Sequence, residues 1–299
     1  MTFEARAGGS VFNTAIQLRR LGLPVSLISK TGADFLGDAL LEIMHREKLP
    51  SKYIIRDNKI KTGLAFARID NKGDSSYFFY RSTGKEIMFQ KGEVPSSIFN
   101  NASLFHTASA YSYNDYTFED AINLMRKAKE KGLFTTYDPN WRINRIKDKK
   151  NARSHIKRLL YYTDLLKLSE TDAIGITGSK TLQSALSRLK GPLIVTLGER
   201  GAFFWDGKKK SFHPAFKVPV KDTIGAGDAF TAGLICEYLK KGKQSFLEDL
   251  GRGLESSSLT FASAVAALVC RGRGATEGLH SKQQVTLFLR RKHSFLHLS

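Results

Sequence analysis

The sequence predicts an α/β fold with a mainly parallel sheet, because short apolar strands alternate along the chain with amphipathic helices. A strand is predicted at residues 24–29 and a helix at 35–48. The scheme repeats as a strand within 103–110, a helix at about 115–131 and a strand at 133–139. Such alternation is typical of βαβ units with helices on both faces of the sheet. Further strands are predicted in the segments 163–169 and 192–198.

One region breaks this rhythm. Two strand-like runs, LAFARID (64–70) and SYFFYRS (76–82), flank the turn-rich segment NKGDS, which predicts a β-hairpin at about 62–82. This hairpin is either a lid over the edge of the larger sheet or a plain surface hairpin. The rest of the sequence contains no low-complexity linker and no convincing repeat, so residues 1–299 are predicted to form a single domain.

The composition excludes several classes of protein. The formal net charge is +19, but the basic residues are spread out and show no zinc-finger or RNA-binding pattern, so no nucleic-acid partner is expected. The sequence has no apolar run long enough to cross a membrane and no secretory signal. The two cysteines, Cys236 and Cys270, lie among apolar residues and are expected to be buried free thiols. These features predict a cytoplasmic protein without a membrane partner.

The most informative segment is DTIGAGDAF, at residues 222–230, which leads into an apolar helix. A glycine-rich first turn with free backbone N–H groups and the positive end of the helix dipole is a binding site for anions. Asp228 would repel such an anion unless it has another task, and accepting a proton from a hydroxyl that attacks phosphorus is a task that fits. The alternative is that Asp228 only caps the helix.

DTIGAGDAF resembles the C-terminal signature of the ribokinase-like (PfkB) carbohydrate kinase family, closest to its fructokinase-like and 2-keto-3-deoxygluconate-kinase-like members. Other resemblances follow in the family's order across nearly the whole chain. The similar segments are GGSVFN (8–13), KTGADFLGDAL (30–40), TLGERGAFFW (196–205) and FASAVAALVCRGRGAT (261–276).

The resemblance implies a three-layer αβα body with a small β lid, and a possible homodimer formed through that lid. It also implies transfer of the ATP γ-phosphate to a hydroxymethyl group with the help of Mg²⁺. The backbone of Gly225, Ala226 and Gly227 would then be the anion hole, and Asp228 the catalytic base. Backbone carbonyls near Asp222, Thr223 and the loop after Cys270 would hold a monovalent cation such as K⁺.

Five residues are candidates for binding the sugar or sugar acid. Asn13 offers a donor and an acceptor to a pair of sugar hydroxyls, or else caps a helix. Gly8 and Gly9 would permit close approach of the sugar. Arg81 ends the hairpin and could reach a substrate hydroxyl or carboxylate. Arg142 comes after D-P-N, where the resemblance implies an arginine near substrate or phosphate. The alternative for each is an arginine that is simply exposed to solvent.

The nucleotide site is expected on the other side of the glycine-rich turn. Ser169 and Asp172 stand where many ribokinases carry N-x-x-E, and Glu170 and Asp172 are candidates for a water-mediated Mg²⁺ contact. Ser263 replaces an asparagine that relatives often place near adenine. The complete set of nucleotide-site candidates is Ser169, Thr196, Gly198, Gly201, Thr223, Gly225, Gly227 and Ser263.

The start of the chain departs from the family pattern. Relatives usually have a strand and a substrate-binding aspartate before the GG motif, whereas here the motif begins at Gly8. Either the start of the sequence is misassigned, or the first strand is absent. Absence would leave unpaired backbone groups on a neighbouring central strand and weaken sugar binding.

The function predicted from these observations is an ATP-dependent sugar kinase acting on a fructose-like or ketodeoxygluconate-like substrate. The alternatives are a nucleoside kinase of the same family and a catalytically inactive member that acts as a binding or regulatory protein. An intact GAGD motif favours the enzyme, and the short N-terminal segment favours the inactive member.

Overall fold

The fold was analysed in a computed structural model, which describes residues 4–69, 75–80, 82, 84–108, 115–141, 143, 146, 148–274, 278 and 280–296. Strands and helices alternate, as the sequence predicts. The strands are β1 (Ser29–Gly32), β2 (Ile54–Asp57), β3 (Leu64–Ile69), β4 (Ser75–Tyr80), β5 (Leu104–Ala108), β6 (Phe134–Asp138), β7 (Leu165–Ser169), β8 (Leu193–Thr196), β9 (Ala202–Trp205) and β10 (Lys210–His213).

The helices lie between and after these strands. They are α1 (Ser10–Arg20), α2 (Phe35–Arg46), α3 (Asp115–Glu130), α4 (Lys149–Leu160), α5 (Glu170–Thr177), α6 (Leu182–Leu186), α7 (Ala226–Lys241), α8 (Lys243–Leu250), α9 (Ser257–Val269) and α10 (Lys282–Leu296).

The central sheet has the strand order β10-β9-β8-β7-β6-β5. Strands β5 to β8 are parallel. Strand β9 pairs antiparallel with β8, and β10 pairs antiparallel with β9. The sheet is therefore mixed, with a parallel part that carries its carboxyl ends at one edge. This confirms the α/β class and the mainly parallel sheet.

Side chains alternate between the two faces of the sheet and bury a different layer of helices on each. On one face Leu166 and Val195 belong to a core with residues of α3, α4, α5 and α6. On the other face Leu165 and Ile194 pack with residues of α7, α8 and α9. Burial on both faces explains why these parallel strands read as continuous apolar runs rather than as alternating ones.

The strand predicted at residues 24–29 is wrong in position. The extended pairing begins only at Ser29, where β1 pairs in parallel with β2, and residues 24–28 are irregular. A strand needs a neighbour for its backbone groups, and in the described part of the chain β5 is an edge of the central sheet while β1 and β2 form a sheet of their own. A shared apolar cluster joins the two, since Leu27, Ile54 and Leu104 all belong to it.

The predicted hairpin is present. Strands β3 and β4 pair antiparallel from Leu64 opposite Tyr80 to Ile69 opposite Ser75, and they form a separate two-stranded sheet. Phe66, Phe78 and Tyr80 are exposed on it. The role of this hairpin as a lid, and as a surface for dimerisation, stays a prediction.

Helix α2 begins at a cap that also fixes the chain around it. Asp34 accepts a hydrogen bond from the backbone N–H of Gly37 at 2.9 Å. The same carboxylate accepts from the backbone N–H and the hydroxyl of Thr62, at 2.9 and 2.7 Å. One side chain therefore caps the start of the helix and holds the segment that leads into the hairpin.

We expect Asp34→Ala to lower the free energy of unfolding by about 1–2 kcal/mol, because an aspartate N-cap and two further hydrogen bonds are lost. Urea denaturation at pH 7 measures this, with the exposed Glu42→Ala on the same helix as control. The bonds from Thr62 lower the pKa of Asp34 to about 2. The stability that the ionised group contributes is present above its unfolded pKa of about 4 and is lost as the pH falls towards 2. A deficit that does not shrink between pH 4 and pH 2 would contradict this role.

Candidate active site

The carboxyl edge of the parallel strands meets the amino end of α7. Asp138, Ser169 and Thr196 are the last residues of β6, β7 and β8, so all three lie at this edge. The first turn of α7 reaches the same place, because Gly227 lies close to the side chain of Lys167 on β7. The site predicted from DTIGAGDAF therefore lies where open α/β sheets bind ligands.

The first turn of α7 is built to leave backbone donors unused. Gly225 is its N-cap and has φ 83°, a left-handed conformation that favours glycine. The N–H of Ala226 donates to the Thr223 carbonyl at 3.2 Å, and that of Ala229 to the Gly225 carbonyl at 2.9 Å. Among the described residues no acceptor is seen for the N–H groups of Gly227 and Asp228. These two amides are available to an anion, whereas that of Ala226 already has an acceptor. The anion hole predicted at Gly225, Ala226 and Gly227 stays a prediction.

The carboxylate of Asp228 is held by the first helix of the chain. The Ser10 hydroxyl donates to its Oδ1 at 2.6 Å, and the Asn13 amide donates to its Oδ2 at 2.7 Å. The Thr14 hydroxyl donates to the backbone carbonyl of Asp228 at 3.3 Å. The segment GGSVFN and the motif GAGD thus form one site, and Asp228 is not simply a helix cap.

The surroundings of Asp228 have opposing effects on the pKa of its carboxyl group. Burial raises the pKa of this carboxyl, while the hydrogen bonds from Ser10 and Asn13 act to lower it; the net pKa is raised. The charge of Asp138 adds to the rise and that of Lys167 opposes it. A carboxylate with a raised pKa that is fixed by two donors is suited to accept a proton.

Sequence reasoning missed three residues of this cluster: Ser10, Asp138 and Lys167. Lys167 is buried in β7, and its Nζ donates to Asp138 Oδ2 at 2.8 Å. The sequence does contain a signal for Lys167, because it is a charged residue in the apolar strand LLKLS. A charged residue in a strand buried on both faces needs a partner. Ser10 has no such signal, because small polar residues are common at helix starts.

The candidates for the phosphate and metal side form a second group along the edge. Ser169 caps α5, with its hydroxyl accepting from the Asp172 N–H, while the Asp172 carboxylate accepts from the backbone of Ser169 and of Trp141. Burial and the nearby Asp138 raise the pKa of Asp172. Glu170 pairs with Arg200 in the turn after β8. Asp172 is therefore a structural hub, and Glu170 is the more accessible carboxylate.

The remaining nucleotide candidates differ in what surrounds them. Gly198 and Thr223 are exposed, and the Thr196 hydroxyl donates to the Leu168 carbonyl at 3.4 Å. Gly201 has φ 115°, and a Cβ there would lie 2.2 Å from the His213 carbonyl oxygen, so packing alone requires this glycine. Ser263 is buried against the same histidine, 3.4 Å from its Nδ1. Their contacts with a nucleotide stay predictions.

The loop before α7 is tied to the end of α9. Asp222 accepts from the N–H groups of Ile224 and Gly274, at 2.9 and 2.7 Å. The Cys270 carbonyl accepts from the N–H groups of Lys221 and Asp222, at 2.8 and 3.3 Å. The Cys270 carbonyl therefore joins the two loops that are expected to supply carbonyls to a cation site, and the cation site itself stays a prediction.

Four substrate candidates remain. Gly8 and Gly9 are exposed before α1, and Gly9 is its N-cap with φ 123°. Arg81 and Arg142 lie outside the described residues. Within the described part of the chain, no group of three or more His, Cys, Asp or Glu side chains is arranged to hold a metal ion. No described helix is both long and apolar enough to cross a membrane.

Comparisons with known proteins agree with this geometry. Residues 1–282 match the pfkB family of carbohydrate kinases. The chain belongs to this family. Its sequence is 30% identical over 289 residues to a probable chloroplastic fructokinase-6 of Arabidopsis thaliana, covering 95% of this chain and 74% of the relative.

Solved structures show the same fold. The fructokinase of Xylella fastidiosa with bound ATP superposes with a TM-score of 0.85 at 24% identity, over 96% of this chain and 91% of that one. The fructokinase of Vibrio cholerae O395, bound to fructose, ADP and calcium ion, gives 0.83 at 22% identity, over 94% and 91%. As a pfkB carbohydrate kinase, the protein is a phosphotransferase with an alcohol group as acceptor.

Because the Ser10 bond stabilises the charged form of Asp228, we expect Ser10→Ala to raise the pKa of this carboxyl further. The measurement is a ¹³C NMR titration of aspartate-labelled protein, with Asp228→Asn to identify the signal. Thr14→Val is the matched control, because that hydroxyl donates to the backbone carbonyl of Asp228 and not to its carboxylate. An unchanged pKa in Ser10→Ala would contradict the assignment.

Proposed function

We propose that the protein transfers the γ-phosphate of ATP to a hydroxymethyl group of a small sugar or sugar acid, fructose-like or ketodeoxygluconate-like. One observation carries the proposal. A carboxylate, Asp228, is held by Ser10 and Asn13 beside two unused backbone N–H groups at the amino end of a helix. A base and an anion hole side by side are what phosphoryl transfer to a hydroxyl requires.

In this reaction Asp228 accepts the proton of the attacking hydroxyl. Each carboxylate oxygen has a second lone pair besides the one used by Ser10 or Asn13, so the proton has a place to go. The substrate oxygen forms the new bond to phosphorus as the bond to the ADP oxygen breaks, and ADP leaves with the electron pair. The N–H groups of Gly227 and Asp228 donate to the oxygens of the transferred group, where charge is spread in the transition state.

Asn13 supports a sugar at this position. Its Nδ2 is used by Asp228, but its buried Oδ1 has no hydrogen-bond partner among the described residues. A buried acceptor without a partner is costly, and a hydroxyl next to the reacting one would satisfy it. Gly8 and Gly9 flank this place, and Gly9 sets the entry into α1.

The carboxylates at the sheet edge fit Mg²⁺ bound through water. Mg²⁺ usually keeps several waters and uses one or two carboxylates together with substrate phosphates. Glu170 and Asp172 are the candidate carboxylates, and Glu170 is the one with exposed surface. Bound Mg²⁺ would neutralise part of the charge on the phosphates. Arg200, paired with Glu170, would keep that carboxylate turned towards the turn after β8.

The names of the relatives favour fructose among the sugars. The curated relative is named a fructokinase, and one structure contains fructose with ADP. A double mutant of the Vibrio cholerae enzyme contains potassium ion as well, which is consistent with a monovalent cation here. A cytoplasmic location stays a prediction, since the plant relative is named chloroplastic.

The first experiment is an ADP-release assay against a panel of sugars, sugar acids and nucleosides, with phosphorylated products identified by mass spectrometry. We expect turnover with fructose or a keto sugar acid. Turnover only with nucleosides would establish the nucleoside kinase instead. Ligand binding without ADP release or product would establish an inactive binding protein and reject the proposal.

Asp228→Asn should lower kcat by about 10²–10⁴-fold, the usual contribution of a general base. We expect its melting temperature to stay close to that of the wild type. Asparagine keeps one oxygen that accepts from Ser10, and its amide nitrogen can donate to Asn13 Oδ1 once the Asn13 amide rotates. Asp206→Asn, in an exposed turn, is the matched control and should keep the wild-type kcat. A kcat for Asp228→Asn within about threefold of wild type would rule out this role.

A further inference from the structure

A lysine lies inside the body of the protein on the face of the sheet that α7 covers. Along β7 the side chains alternate, so Lys167 points to the same face as Leu165, and its neighbour on β8 is Ile194. That face is otherwise filled by apolar residues of α7, α8 and α9. Lys167 is only 7% exposed. Burial of a charged group in such a place is costly and calls for an explanation.

The ammonium group of Lys167 is held by a carboxylate at the end of the next strand. Its Nζ lies 2.8 Å from Asp138 Oδ2, and Asp138 is 3% exposed. The other oxygen of Asp138 accepts from the backbone N–H of Asn140 at 3.0 Å. The pair is therefore fixed at both ends by the central strands β6 and β7.

This ammonium group lies close to the first turn of α7. A Cβ built on Gly227 would lie 3.0 Å from Lys167 Nζ, and no other heavy atom of the described chain outside its own turn is within 4 Å of it. Glycine at this position thus leaves room for the lysine beneath the turn. The turn above it carries the two unused N–H groups and Asp228.

We propose that Lys167 is a positioning residue, whose buried ammonium, fixed by Asp138, supports the first turn of α7 from below and sets the position of the Gly227 and Asp228 amides and of the Asp228 carboxylate. This inference rests on the proposed phosphotransfer. Lys167 contacts neither substrate in this role and acts through the backbone and charge of the turn.

The charges around Lys167 support the assignment. Carboxylates face it from three elements: Asp138 on β6, Asp172 on α5 and Asp228 on α7. Burial alone lowers the pKa of Lys167, but these carboxylates outweigh it and the net pKa is raised, so the group is charged. His106 on β5 has its pKa lowered to about 4 by burial and is neutral. Lys167 is therefore the cation that offsets this group of acids.

The competing explanation is that the pair only stabilises the fold. The protein contains a suitable comparison in its smaller sheet, where Lys30 on β1 pairs with Asp57 on β2 at 2.9 Å, with the lysine side chain 3% exposed. Replacing both partners of each pair by neutral groups removes one positive and one negative charge together, so the net charge of the protein is unchanged. In each case a further carboxylate remains near the site, Glu93 beside Lys30 and Asp228 beside Lys167, so the two variants stay comparable. Matched double variants of the two pairs therefore separate stability from positioning.

The experiment compares Lys167→Met/Asp138→Asn with Lys30→Met/Asp57→Asn. We expect both to fold, as judged by circular dichroism and melting temperature. In the first, kcat should fall by about 10²-fold with both KM values nearly unchanged, because a shift of the turn misplaces groups that act in the transition state. The second should keep a kcat within about threefold of wild type. Wild-type kcat in the first variant would overturn the proposal.

A second variant, Lys167→Gln, removes the charge and still offers an amide donor towards Asp138, on a side chain that is one atom shorter. Because the lysine acts to lower the pKa of Asp228, its removal should raise that pKa. The acidic limb of kcat/KM should therefore move to higher pH, and the ¹³C signal of Asp228 should titrate at higher pH. If the double variant does not fold, Lys167→Gln is the test by itself. A wild-type kcat together with an unchanged acidic limb of kcat/KM would then overturn the proposal.

The NMR titration does not depend on catalysis. If the wild type phosphorylates no member of the panel, the proposed function fails, and the pKa of Asp228 in Lys167→Gln still tests whether the lysine acts on this carboxylate. An active wild type with unchanged Asp228 titration in Lys167→Gln overturns the inference about Lys167 and leaves the proposed function intact.

Discussion

The close packing of α7 is the constraint on which the rest of the site depends. This helix is buried from Ala229 to Glu237, between the sheet, α1 and α9. At Gly233 it approaches α9 so closely that a Cβ would lie 2.6 Å from the Cα of Ala262. Densely packed interiors allow little displacement. The amino end of α7 is therefore held firmly at the carboxyl edge of the parallel strands, and its free N–H groups have a fixed direction.

Two segments far apart in the sequence share the carboxylate of Asp228. Ser10 and Asn13 donate to it across separations of 218 and 215 residues. As a result the start of α1, which the family resemblance assigns to the sugar, is bonded directly to the proposed base. A displacement of α1 by a bound sugar would therefore also move the donors of the Asp228 carboxylate.

Three buried charged residues lie at or near the same edge. Asp138, Lys167 and Asp172 are each less than a tenth exposed. Buried ion pairs are a poor way of gaining stability, because the cost of desolvation offsets most of the attraction. The protein tolerates this cost where the charges meet the first turn of α7. The apolar parts of β7 and β8 pack in the core, and the polar ends of the strands form part of the candidate site.

The sequence by itself determined the local pieces and the nature of the site. Apolar runs predicted β6, β7 and β8, and the change to helical spacing at the GAGD motif predicted the start of α7 near Ala226. Asp228 could be singled out because a carboxylate in an anion-binding turn is chemically odd. These features depend on residues that are neighbours in the chain, so a pattern of a few residues contains them.

Tertiary structure alone decided the partners. It moved the first strand from residues 24–29 to Ser29–Gly32, because a strand forms only where another strand supplies hydrogen bonds. It joined Ser10 to Asp228 and placed Lys167 beneath Gly227. No local pattern encodes these contacts, because each depends on how helices and strands distant in sequence are packed against one another.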